Sequence, residues 1–540
     1  MATEYDIIIR NGVIIDGSSN PWFRGDINIK NGCIKHIGQM GGADAKHELE
    51  ANGLIVVPGF IDIHAHSDFT LLIDPLAESK IRQGVTTEIV GQCGESAAPI
   101  TDETAKYLEE KHPSFYHDYF TITWRTMSEY CDVLSTNGLS MNVVPFIGHG
   151  TVRQNVMGFE NRPPTAEELE QMKTFVRDAM EQGAFGLSSG LFYMPGGFAQ
   201  TDELIELCRV VCEYRGIYTS HIRNESDYVA DAVNEAIKIG RKSGIPVQIS
   251  HLKASGRMNW GKTQDLLNLI EAARNEGIEV TADVYPWTAS STGLDAGLPA
   301  WAHEGGVKKL LERLQDPETR VKIRNEIETA PGRPDWENIL KATGFDNVMV
   351  VNYVPDRSLQ GKRISEIAEI HGTDSLETIF NLLIEAKERG VSAVFFDMDE
   401  QDVIRVFQHP STCISSDGRA IAAKGPFAQE SCHPRFYGTY PRVLGYFIRE
   451  KKILPMPAAI RKMTSFPAQK LGLLDRGLLR EKFVADIVLF DPVRVKNKAT
   501  YQQPHQYPVG IEYVLVNGEV TIAKGEHTQK KPGQVLKHNL

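Results

Sequence analysis

The chain has no apolar run near the ~18 residues a bilayer span needs, so the sequence offers no candidate membrane-spanning helix. It has no excess of positive charge. Against 58 Lys and Arg stand 70 Asp and Glu, a net charge of -12. That balance argues against a surface that tracks nucleic-acid phosphates. It also lacks the paired, closely spaced cysteines of a disulfide framework. Its seven, Cys33, Cys93, Cys131, Cys208, Cys212, Cys413 and Cys432, are odd in number and scattered, as expected in a reducing compartment. The opening Met1-Ala2-Thr3-Glu4-Tyr5-Asp6 lacks a basic segment followed by an apolar one. No signal peptide is expected, and the cytoplasm is the expected location. What is present is ordinary globular composition, 41% hydrophobic and 24% charged, spread over 540 residues, too many for one small core.

The two ends share a texture. Asp6-Ile7-Ile8-Ile9, Asn11-Gly12, Val13 to Gly17, Gly25 to Ile29 and Asn31-Gly32 read as antiparallel hairpins. Ala485 to Asp491 and Tyr513 to Val520 read the same way. One small β domain built from residues 1–58 and 470–540 is expected. Between them a helix, a glycine and a buried strand recur. Gly183, Gly216, Gly244 and Gly277 each precede an apolar run and suit the left-handed position after a helix. Thr165-Ala166-Glu167-Glu168 opens one of these helices as a capping box. Four such units, with strands near 60, 87, 143 and 414, make eight. The expected fold is α/β, a (β/α)8 TIM-type barrel over 59–469. The stretch 288–347 breaks the rhythm with Gly293, Gly297, Pro299, a charged run from Lys308 to Arg324 and Pro331-Gly332-Arg333-Pro334. It reads as an inserted subdomain, a candidate lid.

Barrel chemistry gathers at the carboxyl ends of the strands. Ile55 to Ile63 reads as one buried strand ending at His64 and His66. Thr86 to Val90 runs into Gly91-Gln92-Cys93-Gly94. Strand five ends at His221, strand six at His251 and strand eight at Asp417. Imidazole, thiolate and carboxylate are the ligands zinc takes. His64, His66, Cys93, His221, His251 and Asp417 are therefore the candidate metal ligands. His149, between two glycines after strand three, is a candidate for a supporting role behind them.

Pro58-Gly59-Phe60-Ile61-Asp62-Ile63-His64-Ala65-His66 resembles the amidohydrolase superfamily. Gly91 to Gly94, Ser220 to Glu225, Ser250 to Lys253, Ser416 to Gly418 and His433 to Leu444 are similar to the blocks of the N-acyl-D-amino-acid deacylases, the D-aminoacylases. The resemblance runs nearly end to end. It implies a tightly held zinc on Cys93, His221 and His251, and a second, weaker position on His64, His66 and Asp417 with Cys93 bridging. It implies Asp417 as general base and acid, and Lys253, Tyr285 and Arg435 on a substrate carboxylate, with Tyr193 on the carbonyl oxygen. The expected partner is a small N-acyl amino acid, not nucleic acid or membrane. D-stereochemistry comes from the resemblance alone. The alternative within the superfamily is a cyclic-amide hydrolase, hydantoinase- or dihydroorotase-like, or a dipeptide hydrolase. The former bridge their metals with a carboxylated lysine on strand four, where Gly186-Leu187-Ser188-Ser189-Gly190 offers none. The chain departs from the family at Gln92, where asparagine is usual, at the charged Glu95, and in a longer stretch from Asp417 to His433.

Two other patterns compete. Gly256 to Thr263 has P-loop spacing, but His251 to Ser255 separate it from its strand, and Met258 and Trp260 crowd it. Gly186 to Gly190 has nucleophile-elbow spacing, but a loop, not a helix, follows Ser188. A non-enzymatic binding relative would be expected to have lost ligands, and all six positions are filled.

Overall fold

The structure, a computed structural model, describes residues 4–39, 43–111, 119–330 and 332–538. The first three residues and Pro331, both used in the sequence reading, lie outside them. Eight strands form the barrel: Phe60–Asp62, Val85–Val90, Asn142–Pro145 continuing as Ile147–Gly148, Gly186–Gly190, Ile217–His221, Val247–Ile249, Val280–Val284 and Thr412–Ile414. Neighbours pair in parallel. A bridge between Ala65 and Gly418 joins the ends of strands one and eight and closes the ring. Nearly every strand residue is buried, because helices cover the outside and side chains fill the inside.

Chain punctuation explains the helix ends. Ala166–Glu181 carries the expected capping box, with Thr165 and Glu168 exchanging hydrogen bonds. Gly183, Gly244 and Gly277 have positive φ. Gly216 differs: the left-handed residue there is Arg215, at φ 57°. Gly216 is instead required by close packing, since a Cβ would meet Val211 Cγ1 at 2.6 Å.

Among the described residues, a second sheet of nine strands combines both ends of the chain. Tyr5–Ile14 pairs with Phe23–Lys30, Ala45–Glu50 and Ile55–Pro58, and Ile55–Pro58 in turn pairs with Ile487–Phe490. Ile511–Val516 and Glu519–Ala523 continue it. The apparent single strand from Ile55 to Ile63 is thus two strands in two sheets. Gly59 is the crossing point, where any Cβ would meet the Thr86 hydroxyl at 2.1 Å.

The inserted unit is larger than its composition implied. Ser290–Gly293, Val348–Asn352 and Ser392–Phe395 form a three-stranded antiparallel sheet, so the unit continues past 347 to Phe395. Its helices pack around their own core, including Leu310, Ile323, Leu340 and Phe380. The last strands alternate too little to be told from barrel strands in sequence. Among the described residues no helix is long and apolar enough to cross a membrane.

Candidate metal centre

Six side chains from five barrel strands meet at the carboxyl end of the ring. Cys93 Sγ lies 3.2 Å from His64 Nε2, 3.6 Å from His221 Nδ1 and 3.6 Å from His251 Nε2. His66 Nε2 lies 3.0 Å from Asp417 Oδ1, and His64 Nε2 3.5 Å from the same oxygen. Among the described residues, three sets of ligand atoms converge within 4.8 Å: His64, Cys93 and His251; His64, His66 and Asp417; His221, Glu225 and His251. Cys93 touches His221 at the same distance as His251, and the converging set that contains the sulfur pairs it with His64 and His251.

The backbone at this rim is unusual. Cys93, His251 and Asp417 have φ of 52°, 34° and 49°. Left-handed conformations of non-glycine residues cost roughly 1 kcal/mol or more each and collect at functional sites. Each turns its chain sharply just past a strand end. Cys93 reaches the pocket because glycines flank it. A Cβ on Gly91 would meet Phe146 O at 2.2 Å, and one on Gly94 would meet Gly190 N at 2.7 Å.

Electrostatics suit a cation. Burial holds His64, His221 and His251 well below the ordinary imidazole value, leaving the neutral rings that ligate metals. Burial, then the Asp417 and Glu225 carboxylates, pushes the Cys93 thiol well up. A thiolate there needs a positive partner. Burial acts to raise Asp417, but the Arg435 guanidinium, with a hydrogen bond from His66, outweighs it and holds the carboxyl well below its usual range. The donor set fits zinc. Zn–S and Zn–N bonds of about 2.3 and 2.1 Å in tetrahedral geometry separate sulfur from nitrogen by about 3.6 Å, the spacing of Cys93 from His221 and His251.

The remaining predicted residues ring the cluster. Arg435 Nη1 is 2.8 Å from Asp417 Oδ2, but its N–H is not aligned on that oxygen, and Nε and Nη1 are buried without hydrogen-bond partners. Tyr285 lies under both cations, its ring centre 5.0 Å from Arg435 and 5.7 Å from Lys253. Lys253 Nζ is 2.6 Å from Glu225 Oε1 and 2.7 Å from His251 Nδ1. Tyr193 stacks edge-on against His221 and accepts a hydrogen bond from Thr292 of the inserted unit at 3.0 Å. His149 stays outside the converging sets. It is buried against Glu203 at 2.8 Å, which also holds Arg153. Glu95 is exposed. Gln92 points inward and accepts from Thr219 Oγ1.

Sequence reasoning missed three buried carboxylates. Glu225 faces the nitrogens of His221 and His251 that point away from the sulfur, at 3.7 and 3.0 Å. Asp283, raised by burial to about 6, accepts from Gln248, Ser415 and the His251 backbone. Glu337 of the inserted unit, raised by burial and then by Glu225 to about 8, packs behind Glu225. Asp283 is the next-to-last residue of a strand and Glu225 stands four residues past His221, a signal that position alone could have supplied; Glu337 carries none.

The competing patterns do not form their sites. In the loop from Gly256, backbone N–H groups are spent internally, Gly256 on Asp397 O and Gly261 on Asp402, and Lys262 Nζ bonds Asn259. Ser188 Oγ is buried and accepts from Gly94 N.

A barrel with such a cluster at its strand ends defines a metal-dependent hydrolase of the barrel type. The amidohydrolase family model matches residues 48–522. An N-acyl-D-glutamate deacylase of Alcaligenes xylosoxydans xylosoxydans is 34% identical over 541 residues, 100% of this chain and 98% of the relative. A D-aminoacylase of the same organism is 33% identical, covering 98% and 97%. The crystal structure of N-acyl-D-glutamate deacylase from Bordetella bronchiseptica, complexed with zinc and a phosphonate mimic of the reaction's tetrahedral intermediate, superposes with a TM-score of 0.81 at 34% identity, covering 99% of both chains. The chain belongs to the amidohydrolase family, in its N-acyl-D-amino-acid deacylase branch.

Proposed function

We propose that this protein hydrolyses N-acyl-D-amino acids to a carboxylate and a free D-amino acid, using zinc held by Cys93, His221 and His251, with a second, weaker position at His64, His66 and Asp417. The observation that carries this reading is the buried Cys93 thiol with three imidazole nitrogens turned on it at 3.2–3.6 Å, beside an ionised Asp417. Zinc there supplies an acidified water and polarises the scissile carbonyl.

The chain's own groups do the rest. Asp417 is kept ionised by Arg435, so it can take a proton from the attacking water and pass it to the leaving nitrogen. Arg435 has two buried N–H groups without hydrogen-bond partners. Buried donors are rarely left unmade, and a substrate carboxylate satisfies them. Lys253 and Tyr285 flank the same position, giving a two-cation clamp with a phenol between. Tyr193, fixed by Thr292, is the residue assigned to orient the acyl oxygen.

The test is metal analysis with paired N-acetyl-D- and N-acetyl-L-amino acids. We expect bound zinc, turnover of D substrates in preference to L, loss of activity on chelation and recovery with zinc. Full activity in exhaustively demetallated protein, or a preference for L substrates, would overturn the reading.

A further inference from the structure

Glu225 sits where two tasks meet. His221 turns Nδ1 toward Cys93 and Nε2 toward Glu225, and His251 turns Nε2 toward Cys93 and Nδ1 toward Glu225. An imidazole that ligates through one nitrogen carries its proton on the other, and the acceptor of that proton fixes tautomer and ring angle. Glu225 is the carboxylate facing both. Its Oε1 also accepts from Lys253 Nζ at 2.6 Å. Neither ring contact is a hydrogen bond, since His221 Nε2 has no hydrogen-bond partner and His251 Nδ1 has Lys253 Nζ at 2.7 Å, so the Glu225 charge acts on both rings across 3.7 and 3.0 Å while its hydrogen bond holds one arm of the candidate carboxylate clamp.

Part of what holds Glu225 comes from outside the barrel. The turn after strand five is gripped by the inserted unit. Glu225 N donates to Glu337 Oε2 at 2.5 Å, and Asn224 Nδ2 donates to Arg333 O at 3.3 Å. Glu225 O accepts from Ser255 N at 2.6 Å. Glu337 is 2% exposed, and its other oxygen is buried without a partner. It begins a stretch anchored by Asn338, which caps the helix Ile339–Thr343 and bonds Ile327 O. A free lid has no reason to bury a carboxyl beneath the centre it covers, since an unmatched buried acid costs stability.

We infer that Glu337 is a positioning residue: by accepting the Glu225 N–H it sets the carboxylate that holds Lys253 and places its charge against His221 and His251, so the inserted unit helps build the zinc site. The role of Lys253 in this chain of contacts rests on the proposed function; the role of the imidazoles does not.

The test compares Glu337→Ala and Glu337→Gln in the full-length protein. Zinc affinity is read by competition with a chelating dye, and KM and kcat are read on the best N-acetyl-D-amino acid. Loss of a group supporting a metal-ligating histidine costs about 10–100-fold in affinity. We expect Glu337→Ala to lose zinc affinity by about tenfold or more on that scale, with KM rising more than kcat falls. Glu337→Gln keeps an oxygen acceptor and should restore both to near the parent values. A folded alanine variant with unaltered zinc affinity overturns the inference, whatever its melting temperature. So does a glutamine variant as poor as alanine. If the alanine protein does not fold, Glu337→Met, which keeps volume and removes the acceptor, takes its place in the comparison. A parent protein that turns over no N-acyl-D-amino acid sinks the functional reading, while the zinc comparison still decides the part played by Glu337.

Discussion

Lys80 lies wholly inside the barrel, its ammonium 2.6 Å from Asp62 and Ser416 and 3.3 Å from Glu88. Burial, then the Lys80 and Asp62 charges acting in opposite senses, leaves Glu88 raised to about 7. Ser416 N also donates to Asp62, so the network reaches the residue before Asp417. Removing one member of a buried ion pair strands the other and costs about 3–5 kcal/mol. Lys80→Met should lower unfolding stability by that amount in a urea titration; a change under 1 kcal/mol would mean water replaces the ammonium. At the metal centre, Asp417→Ala should retain tightly bound zinc and lose turnover by about 10²-fold or more. Cys93→Ala should bind zinc measurably more weakly, by dye competition. Cys93 and the histidines were legible because their chemistry and their places after strands coincide. Lys80, Glu225 and Glu337 were not. In sequence each is one charged residue among many, and what distinguishes them is burial against partners far along the chain.

The helix Ala166–Glu181 illustrates an element that was legible throughout. Its cap is local: Thr165 Oγ1 accepts from Glu168 N, and Glu168 accepts from Thr165 N while Arg162 grips both carboxylate oxygens at 2.7 Å. Thr165→Ala should cost about 1 kcal/mol. Arg162, then the Thr165 backbone, lowers Glu168 to about 2. A carboxyl depressed on folding stabilises fully above its unfolded value and loses that contribution as pH falls through the folded one. The Glu168 contribution should therefore be intact at pH 5 and above and fade between pH 4.5 and about 2. Glu168→Gln should flatten the acid limb of a stability-against-pH curve by that component; an unchanged limb would show the ion pair to be inert. Local signals of this kind gave the eight barrel strands as well. They failed where an element's identity depends on its partner. Val348–Asn352 and Ser392–Phe395 pair with each other inside the inserted unit, and no local feature separates them from barrel strands.

At the scale of the whole molecule, the two sheets are tied together by the end of the chain. After Thr528 the backbone runs along strand three. Gly533 N donates to Leu139 O, Val143 N to Gln534 O, Leu536 N to Val143 O and His538 N to Gly183 O. At about 1 kcal/mol each, these four bonds alone mean that ending the protein at Thr528 should cost at least about 4 kcal/mol, read as a lower thermal midpoint with the zinc content unchanged. An unaltered midpoint would show the tail to be decoration. The pairing of Ile55–Pro58 with Ile487–Phe490 has a temporal consequence. On the ribosome, roughly 430 residues separate these strands, which at 5–20 residues per second is about 20–90 s of synthesis. For that interval Ile55, Val56 and Val57 present an unpaired edge to every other nascent chain nearby. Production of this protein should accordingly depend on chaperone supply and translation speed more than its finished architecture would indicate.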